Sequence, residues 1–193
     1  MNLDLVVLGP PGAGKGTQAK RIAAAHGTPH ISTGEMLREA MAEGSELGVR
    51  VKEIVEAGNL VPDDLMIDLI RNRLSHDDTH EGFILDGFPR TLVQAEALDD
   101  LLDEMARPIS IALDFQLDDD VAYERLTGRA HKEGRPDDRD DVIWNRISVY
   151  KEMTLPISEH YRAKGILVGI HAARPEHEVF AEIERALEKV TVR

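Results

Sequence analysis

The sequence predicts an α/β protein with a parallel sheet covered by helices on both faces. Three observations predict it. Short apolar runs alternate with longer amphipathic segments along the chain. A glycine-rich turn joins the first apolar run directly to a helix-compatible run. No internal repeat or low-complexity linker interrupts the alternation, and 193 residues suffice for one domain with a substantial core and small insertions.

The run Leu3 to Leu8, apolar apart from Asp4, reads as a short buried strand. Gly9-Pro10-Pro11-Gly12-Ala13-Gly14 forms the turn. Lys15, Gly16 and Thr17 follow, and a helix-compatible run extends from Thr17 to Ala25. Strand, glycine loop and helix N-terminus make a phosphate cradle. Glycines let backbone N–H groups converge on anionic oxygens, and the helix dipole adds partial positive charge. Lys15 supplies a full charge. Gly16 stands where the generic pattern has Ser or Thr, and the hydroxyl arrives one residue later at Thr17. That re-aims the hydroxyl and weakens the case for a direct Thr17–magnesium bond.

Further strands are predicted at Pro29–Ile31, Phe83–Asp86, Ile109–Phe115 and Ile166–Ile170. Residues 32–82 are more than one crossover helix needs. Ser32-Thr33-Gly34-Glu35 is a capping box that starts a helix. Gly44 and Gly48 break the helical pattern, Gly58-Asn59 stops a further helix, and Pro62-Asp63-Asp64 opens another. Residues 32–61 therefore read as a small helical insertion. Ala130–Asp138 is polar, contains glycine and proline, and reads as a mobile surface loop. It is expected to stand open, with Arg135 away from the cleft until it closes.

Composition narrows the chemistry. The absence of cysteine excludes disulfides and thiolate metal sites. Neither a membrane-length apolar run nor a basic leader is present, so a soluble cytoplasmic protein is expected. The net charge of −13 argues against nucleic-acid binding and disfavours polyanionic ligands unless positive charge is gathered locally. Asp118-Asp119-Asp120 and Asp137-Asp138 read as solvated faces and helix starts rather than a metal cage. The histidines lack metal-binding spacing and read as surface residues.

Arginines are placed where an anionic ligand needs them. Arg38 lies on the first insertion helix, and Arg90 closes Asp86-Gly87-Phe88-Pro89-Arg90 after the third strand. Arg125 and Arg129 precede the polar loop, Arg135 lies within it, and Arg146 follows it. In a parallel sheet the strand C-termini gather at one edge, where ligands bind. Guanidinium groups grip phosphate bidentately and keep their charge. Asp86 ends an apolar strand beside the cradle, placed to orient magnesium through water or to cap the Gly87 turn. Phosphoryl transfer needs two substrates held in line, equatorial charge neutralised and water excluded, which a closing lid achieves.

These motifs together resemble the adenylate kinases, within the nucleoside monophosphate kinase family. The resemblance rests on GPPGAGKGTQ at 9–18, ISTGEMLR at 31–38, GNLVPD at 58–63 and GFILDGFPRT at 82–91 with Gln94. ERLTGR at 124–129, GRPDD at 134–138 and NR at 145–146 complete the set, which covers essentially the whole chain. It implies a five-stranded P-loop NTPase core (1–31, 62–128 and 139–193), an AMP-binding insertion (32–61) and a short lid (129–138) without structural zinc. It implies that Gly12, Ala13, Gly14, Lys15, Gly16 and Thr17 hold the ATP phosphates, with Arg125, Arg129 and the backbone around Ala172 on the ATP side. Arg38 and Arg90 would hold the AMP phosphate. Thr33, Asn59, Leu60, Val61 and Gln94, with Gly87, Phe88 and Pro89 beside Arg90, would complete the acceptor site. Lys15, Arg90, Arg129, Arg135 and Arg146 would be catalytic, with Arg135 and Arg146 also reaching AMP. Mg²⁺ would accompany ATP. The implied partners are ATP, AMP and ADP, with no nucleic acid or membrane, for a monomer.

The chain departs from the family pattern in two places. AHKEG between Arg129 and Arg135 is slightly longer than the shortest family lids. His171-Ala172-Ala173 stands where an Asp-Gly pair is common, which puts donor discrimination there in doubt. Trp144, two residues before Arg146, is expected to pack rather than react. A UMP/CMP kinase is the alternative within the family, and Thr33 favours AMP over it. A nucleotide-dependent switch is the alternative outside it. No Asn-Lys-x-Asp signature supports a switch, and two arginine sets imply two nucleotides.

Overall fold

In the computed structural model, which describes residues 3–191, five parallel strands form one sheet in the order β2-β3-β1-β4-β5. They are β1 (Leu3–Leu8), β2 (His30–Ser32), β3 (Gly82–Asp86), β4 (Ile111–Gln116) and β5 (Leu167–His171). All five predicted strands are present, the first at its predicted bounds and the other four shifted by one or two residues at their ends. Residues 1, 2, 192 and 193 of the predicted core segments lie outside the described residues.

β1 is central, and its successive side chains point to opposite faces. Leu5 and Val7 enter a cluster with Ile22 of α1 (Lys15–His26) and Ile183 of α9 (Glu176–Thr191). Val6 and Leu8 enter another with Ile70 of α4 (Asp63–Leu74), Leu98 of α5 (Leu92–Glu104) and Tyr161 of α8 (Leu155–Ala163). Helices cover both faces, so the strand is apolar throughout except at Asp4, which is buried and pairs with Arg107 at 2.5 Å. Every strand runs parallel, so all five C-terminal ends share one edge.

The insertion is α2 (Thr33–Glu43) followed by α3 (Glu46–Glu56). The Ser32 hydroxyl accepts the Glu35 N–H at 3.4 Å. The Glu35 carboxylate does not return the bond. It pairs with Lys20 of α1 at 2.7 Å and ties the insertion to the core. Gly44 ends α2 as predicted. Gly48 does not break a helix. It lies inside α3, where a Cβ would stand 2.0 Å from the Ala40 carbonyl oxygen, so it permits close packing of α2 on α3.

The polar segment differs most from expectation. α6 (Asp119–Glu133) absorbs Ala130 to Glu133, residue types that extend a helix, and stops only at Gly134 (φ 62°). What remains is a connection containing a short 3₁₀ turn (Pro136–Asp138) before α7 (Asp140–Val149). A π-helical turn (Tyr150–Thr154) leads on to α8. Asp118 to Asp120 start α6 as predicted. Asp137 and Asp138 are not solvated, being 7% and 1% exposed. Trp144 stacks on Tyr123 with ring centroids 5.1 Å apart, yet remains half exposed.

Candidate active site

The cradle follows from its sequence. β1 delivers the chain to the sheet edge, and Gly9, Gly12 and Gly14 take positive φ values that turn it into α1. The Lys15 ammonium folds back over the loop and donates to the Gly9 and Pro10 carbonyls at 2.8 Å each. Burial lowers its pKa to about 8. The Asp86 carboxylate works against that shift, and Arg90, Arg146 and Arg129 add to it.

Asp86 closes β3 beside the cradle and is 9% exposed. Its Oδ2 lies 3.4 Å from Nε2 of His30. Burial pushes its carboxyl up, but His30 and Lys15 together hold it below the ordinary carboxylate range. It is therefore an anion at neutral pH. Among the described residues no group of three or more His, Cys, Asp or Glu converges to hold a metal. A lone carboxylate beside a phosphate cradle suits a hard cation whose remaining ligands are phosphate oxygens and water. Asp86 thus fits magnesium bound with a nucleotide.

A cavity of about 320 Å³ opens at this edge. Gly12, Gly14, Lys15, Gly16, Thr17 and Asp86 line it on the cradle side. Arg38, Gly87, Pro89 and Arg90 line it as well, and so do Arg129, Arg135 and Arg146. A smaller cavity of about 80 Å³ adjoins it. Thr33, Asn59, Val61 and Gln94 line that one, and Arg38, Leu60, Gly87, Arg90 and Arg146 border both. The positive charge that offsets the overall −13 for an anionic ligand is gathered here.

The arginines fall into two sets. Neither Arg38 nor Arg90 forms an ion pair within 4 Å among the described residues. Burial lowers the pKa of each, and repulsion from Arg135 on Arg38 and from Arg146 on Arg90 adds to it. Such crowding is relieved by a bound anion. Arg90 is held by its neighbours instead. Its N–H donates to Gln94 Oε1 at 2.7 Å, its Nε to the Gly87 carbonyl at 3.1 Å, and its carbonyl accepts from Thr154 at 2.9 Å. The Gln94 amide donates in turn to Asp63 at 2.8 Å.

The second set is already paired. Arg129 grips Asp138 with two bonds of 2.6 and 2.7 Å. Arg146 reaches the same carboxylate at 2.5 Å and Asp137 at 3.1 Å. Arg135 pairs with Glu133 at 2.6 Å. Burial pushes the Asp138 carboxyl up, and the two guanidinium groups hold it well down. Arg135 does not stand away from the cleft as expected, because it lines the cavity wall.

Four predicted site residues lie elsewhere. The Ala13 and Phe88 side chains are in the core. Ala172 extends the β4–β5 ladder, donating to the Gln116 carbonyl at 3.0 Å, and its methyl is buried. Arg125 sits one turn before Arg129, about 6 Å along the helix, and lines neither cavity. Sequence reasoning missed Asp137 and Asp138 as arginine partners. The signal was present in the Arg-Pro-Asp-Asp run flanked by Arg129 and Arg146.

The arrangement can hold two phosphate groups against one another, one over the cradle and one against Arg38 and Arg90. Comparison with known proteins gives the family. The family model described as adenylate kinase matches residues 7–166. The chain is 47% identical to an adenylate kinase of Mycobacterium bovis, covering 97% of this chain and all of the relative. It is 41% identical to one from Archaeoglobus fulgidus and 39% to one from Methanosarcina barkeri, each over 97% of this chain and 99% of the relative.

Proposed function

The chain belongs to the adenylate kinase family, and on that premise we propose that it catalyses MgATP + AMP ⇌ 2 ADP in the cavity described. It is a phosphotransferase. The observation that carries the site assignment is the joining of two cavities through Arg38, Arg90 and Arg146, with Lys15 in one and Thr33 and Gln94 in the other. The first suits the ATP phosphates and the transferring group. The second suits the AMP nucleoside.

In this reading residues 32–61 form the acceptor insertion and 129–138 the lid, and the remainder is the core. An AMP phosphate oxygen attacks the γ-phosphorus of ATP while the bond to the β-bridging oxygen breaks. The acceptor is already a dianion, so no general base is needed. Lys15 and the 12–17 backbone hold the donor phosphates, with Arg125 and the Ala172 backbone on its nucleoside side. Arg38 and Arg90 seat the AMP phosphate, and the backbone of 59–61 frames the base. Arg129, Arg135 and Arg146 neutralise charge on the group in transit. Asp86 would hold magnesium beside the cradle, and the metal would supply charge neutralisation on the phosphates. Among the described residues no helix is long and apolar enough to cross a membrane. In this reading the partners are the nucleotides ATP, AMP and ADP, and the protein acts as a cytoplasmic monomer.

A coupled assay of ATP with AMP, UMP, CMP and GMP tests the proposal. AMP should be turned over far faster than the others. Turnover of UMP or CMP well above AMP would instead assign a pyrimidine nucleotide kinase.

A further inference from the structure

Between α3 and α4 the chain makes a tight turn through Ala57, Gly58 and Asn59. Gly58 is buried with φ 75°. A Cβ there would stand 2.7 Å from both Arg146 Cγ and Val142 Cγ1. Val142 and Arg146 are one turn apart on α7, so the turn is seated on one face of that helix. Asn145 lies between them in sequence. Its Nδ2 donates to the Ala57 carbonyl at 2.9 Å and to Asn59 Oδ1 at 3.0 Å, one partner on each side of Gly58.

The two ends of this clasp have different duties. Asn59 lines the smaller cavity. α7 carries Arg146, which borders both cavities and is bonded to the Asp137 carbonyl at 3.0 Å and to Asp138. Gly58, Asn59, Leu60 and Val61 form a wall of the smaller cavity. Asn145 therefore fixes that wall to the helix bearing Arg146.

We propose that Asn145 is a positioning residue of the acceptor site, clasping the 57–59 turn onto α7 so that the acceptor pocket and Arg146 are held in register. This rests on the reading of 32–61 as the acceptor insertion. Asn145 touches neither substrate in this account. It acts by presenting a pocket wall that is already in place when the acceptor nucleotide arrives, so its loss falls on acceptor binding before it falls on chemistry.

The chemistry of the clasp gives a discriminating test. Both partners of Nδ2 are acceptors, so the side chain must donate. Asn145→Asp keeps size and shape but sets a carboxylate oxygen against the Ala57 carbonyl oxygen, a backbone acceptor that cannot become a donor. Asn145→Ala only removes the bonds. The KM for AMP should rise about fivefold in Asn145→Ala and about tenfold or more in Asn145→Asp, the scale of one or two lost hydrogen bonds. The KM for ATP and kcat should each change by less than about twofold, because the cradle is untouched. Hydrogen exchange in the free protein should accelerate over residues 57–61 in both variants. An Asn145→Asp variant with the wild-type AMP KM and wild-type exchange would overturn the proposal. So would equal rises in both KM values with a lowered Tm, which would make Asn145 a general stabilising residue. Failure of the wild-type enzyme to use AMP would overturn the acceptor assignment instead, while faster exchange at 57–61 would leave the clasp standing.

Discussion

The acceptor-side arginines and the lid-side arginines share one cavity but not one electrostatic condition. Arg38 and Arg90 face it without a carboxylate partner among the described residues, and burial with mutual repulsion makes their charge costly. Arg129 and Arg146 converge on Asp138, and Arg135 on Glu133. An anion arriving at the first set gains the whole of the attraction. An anion arriving at the second must displace a carboxylate, so most of that gain is offset. On the proposed function the difference would assign roles: unpaired arginines would bind in the ground state, while paired arginines would be exchanged onto the phosphate late, when charge moves. A cavity of uniformly unpaired arginines would bind both nucleotides tightly and turn over slowly.

Removing a charge that neither set can replace gives the largest effect. Lys15→Ala should fold normally, since its ammonium faces the loop carbonyls and the cavity. It should lose about 1,000-fold or more in kcat/KM, some 4 kcal/mol at about 1.4 kcal/mol per tenfold. Unchanged kcat/KM in the folded variant would remove Lys15 from the phosphate site.

Breaking the lid pairing comes next. Asp138→Asn removes the charge shared by Arg129 and Arg146 and converts the second set toward the condition of the first. Nucleotide should then bind more tightly and kcat should fall about tenfold or more, because charge used in ground-state binding no longer favours the transition state. Thermal unfolding should show a stability loss of about 1–3 kcal/mol, because a buried pair is broken. The wild-type pairing also has a pH signature. The Asp138 carboxyl is held below its ordinary 3.8, so its stabilisation is present above pH 3.8 and is lost as pH falls through the depressed value. Asp138→Asn should lack that part of the acid sensitivity.

The smallest effect is on the pH profile of the donor side. Lys15 holds phosphate only when protonated, and burial lowers its pKa to about 8. For the free enzyme, kcat/KM for ATP should fall as pH rises through about 8. Bound phosphates raise that pKa again, so kcat should persist to higher pH. Coincident profiles for the two parameters would mean that Lys15 does not titrate in the free cradle.

Local motifs were legible in the sequence because local physics decides them. A glycine loop between an apolar run and a helix permits one geometry, and the predicted cradle lines the cavity apart from Ala13, whose side chain packs inward. The strand order was not legible from periodicity, since β1 pairs with β3 and β4 through long crossovers. Gly48 read as a breaker because the sequence does not show how closely α2 approaches α3. Asp137 and Asp138 read as surface for a related reason. Their burial depends on Arg129 and Arg146 arriving from separate helices, a tertiary event that an acidic dipeptide does not announce.

The division between the two arginine sets is tested most directly by steady-state kinetics of Arg38→Ala beside Arg135→Lys, with AMP as the varied substrate. Arg38→Ala should raise the AMP KM by about 30- to 100-fold with kcat within about threefold, as loss of a ground-state charged contact requires. Arg135→Lys keeps the charge but loses the planar fork, and should lower kcat about tenfold or more with the AMP KM within about threefold. A result in which Arg135→Lys raises only the KM and leaves kcat intact would contradict the division, and would make the lid a binding flap.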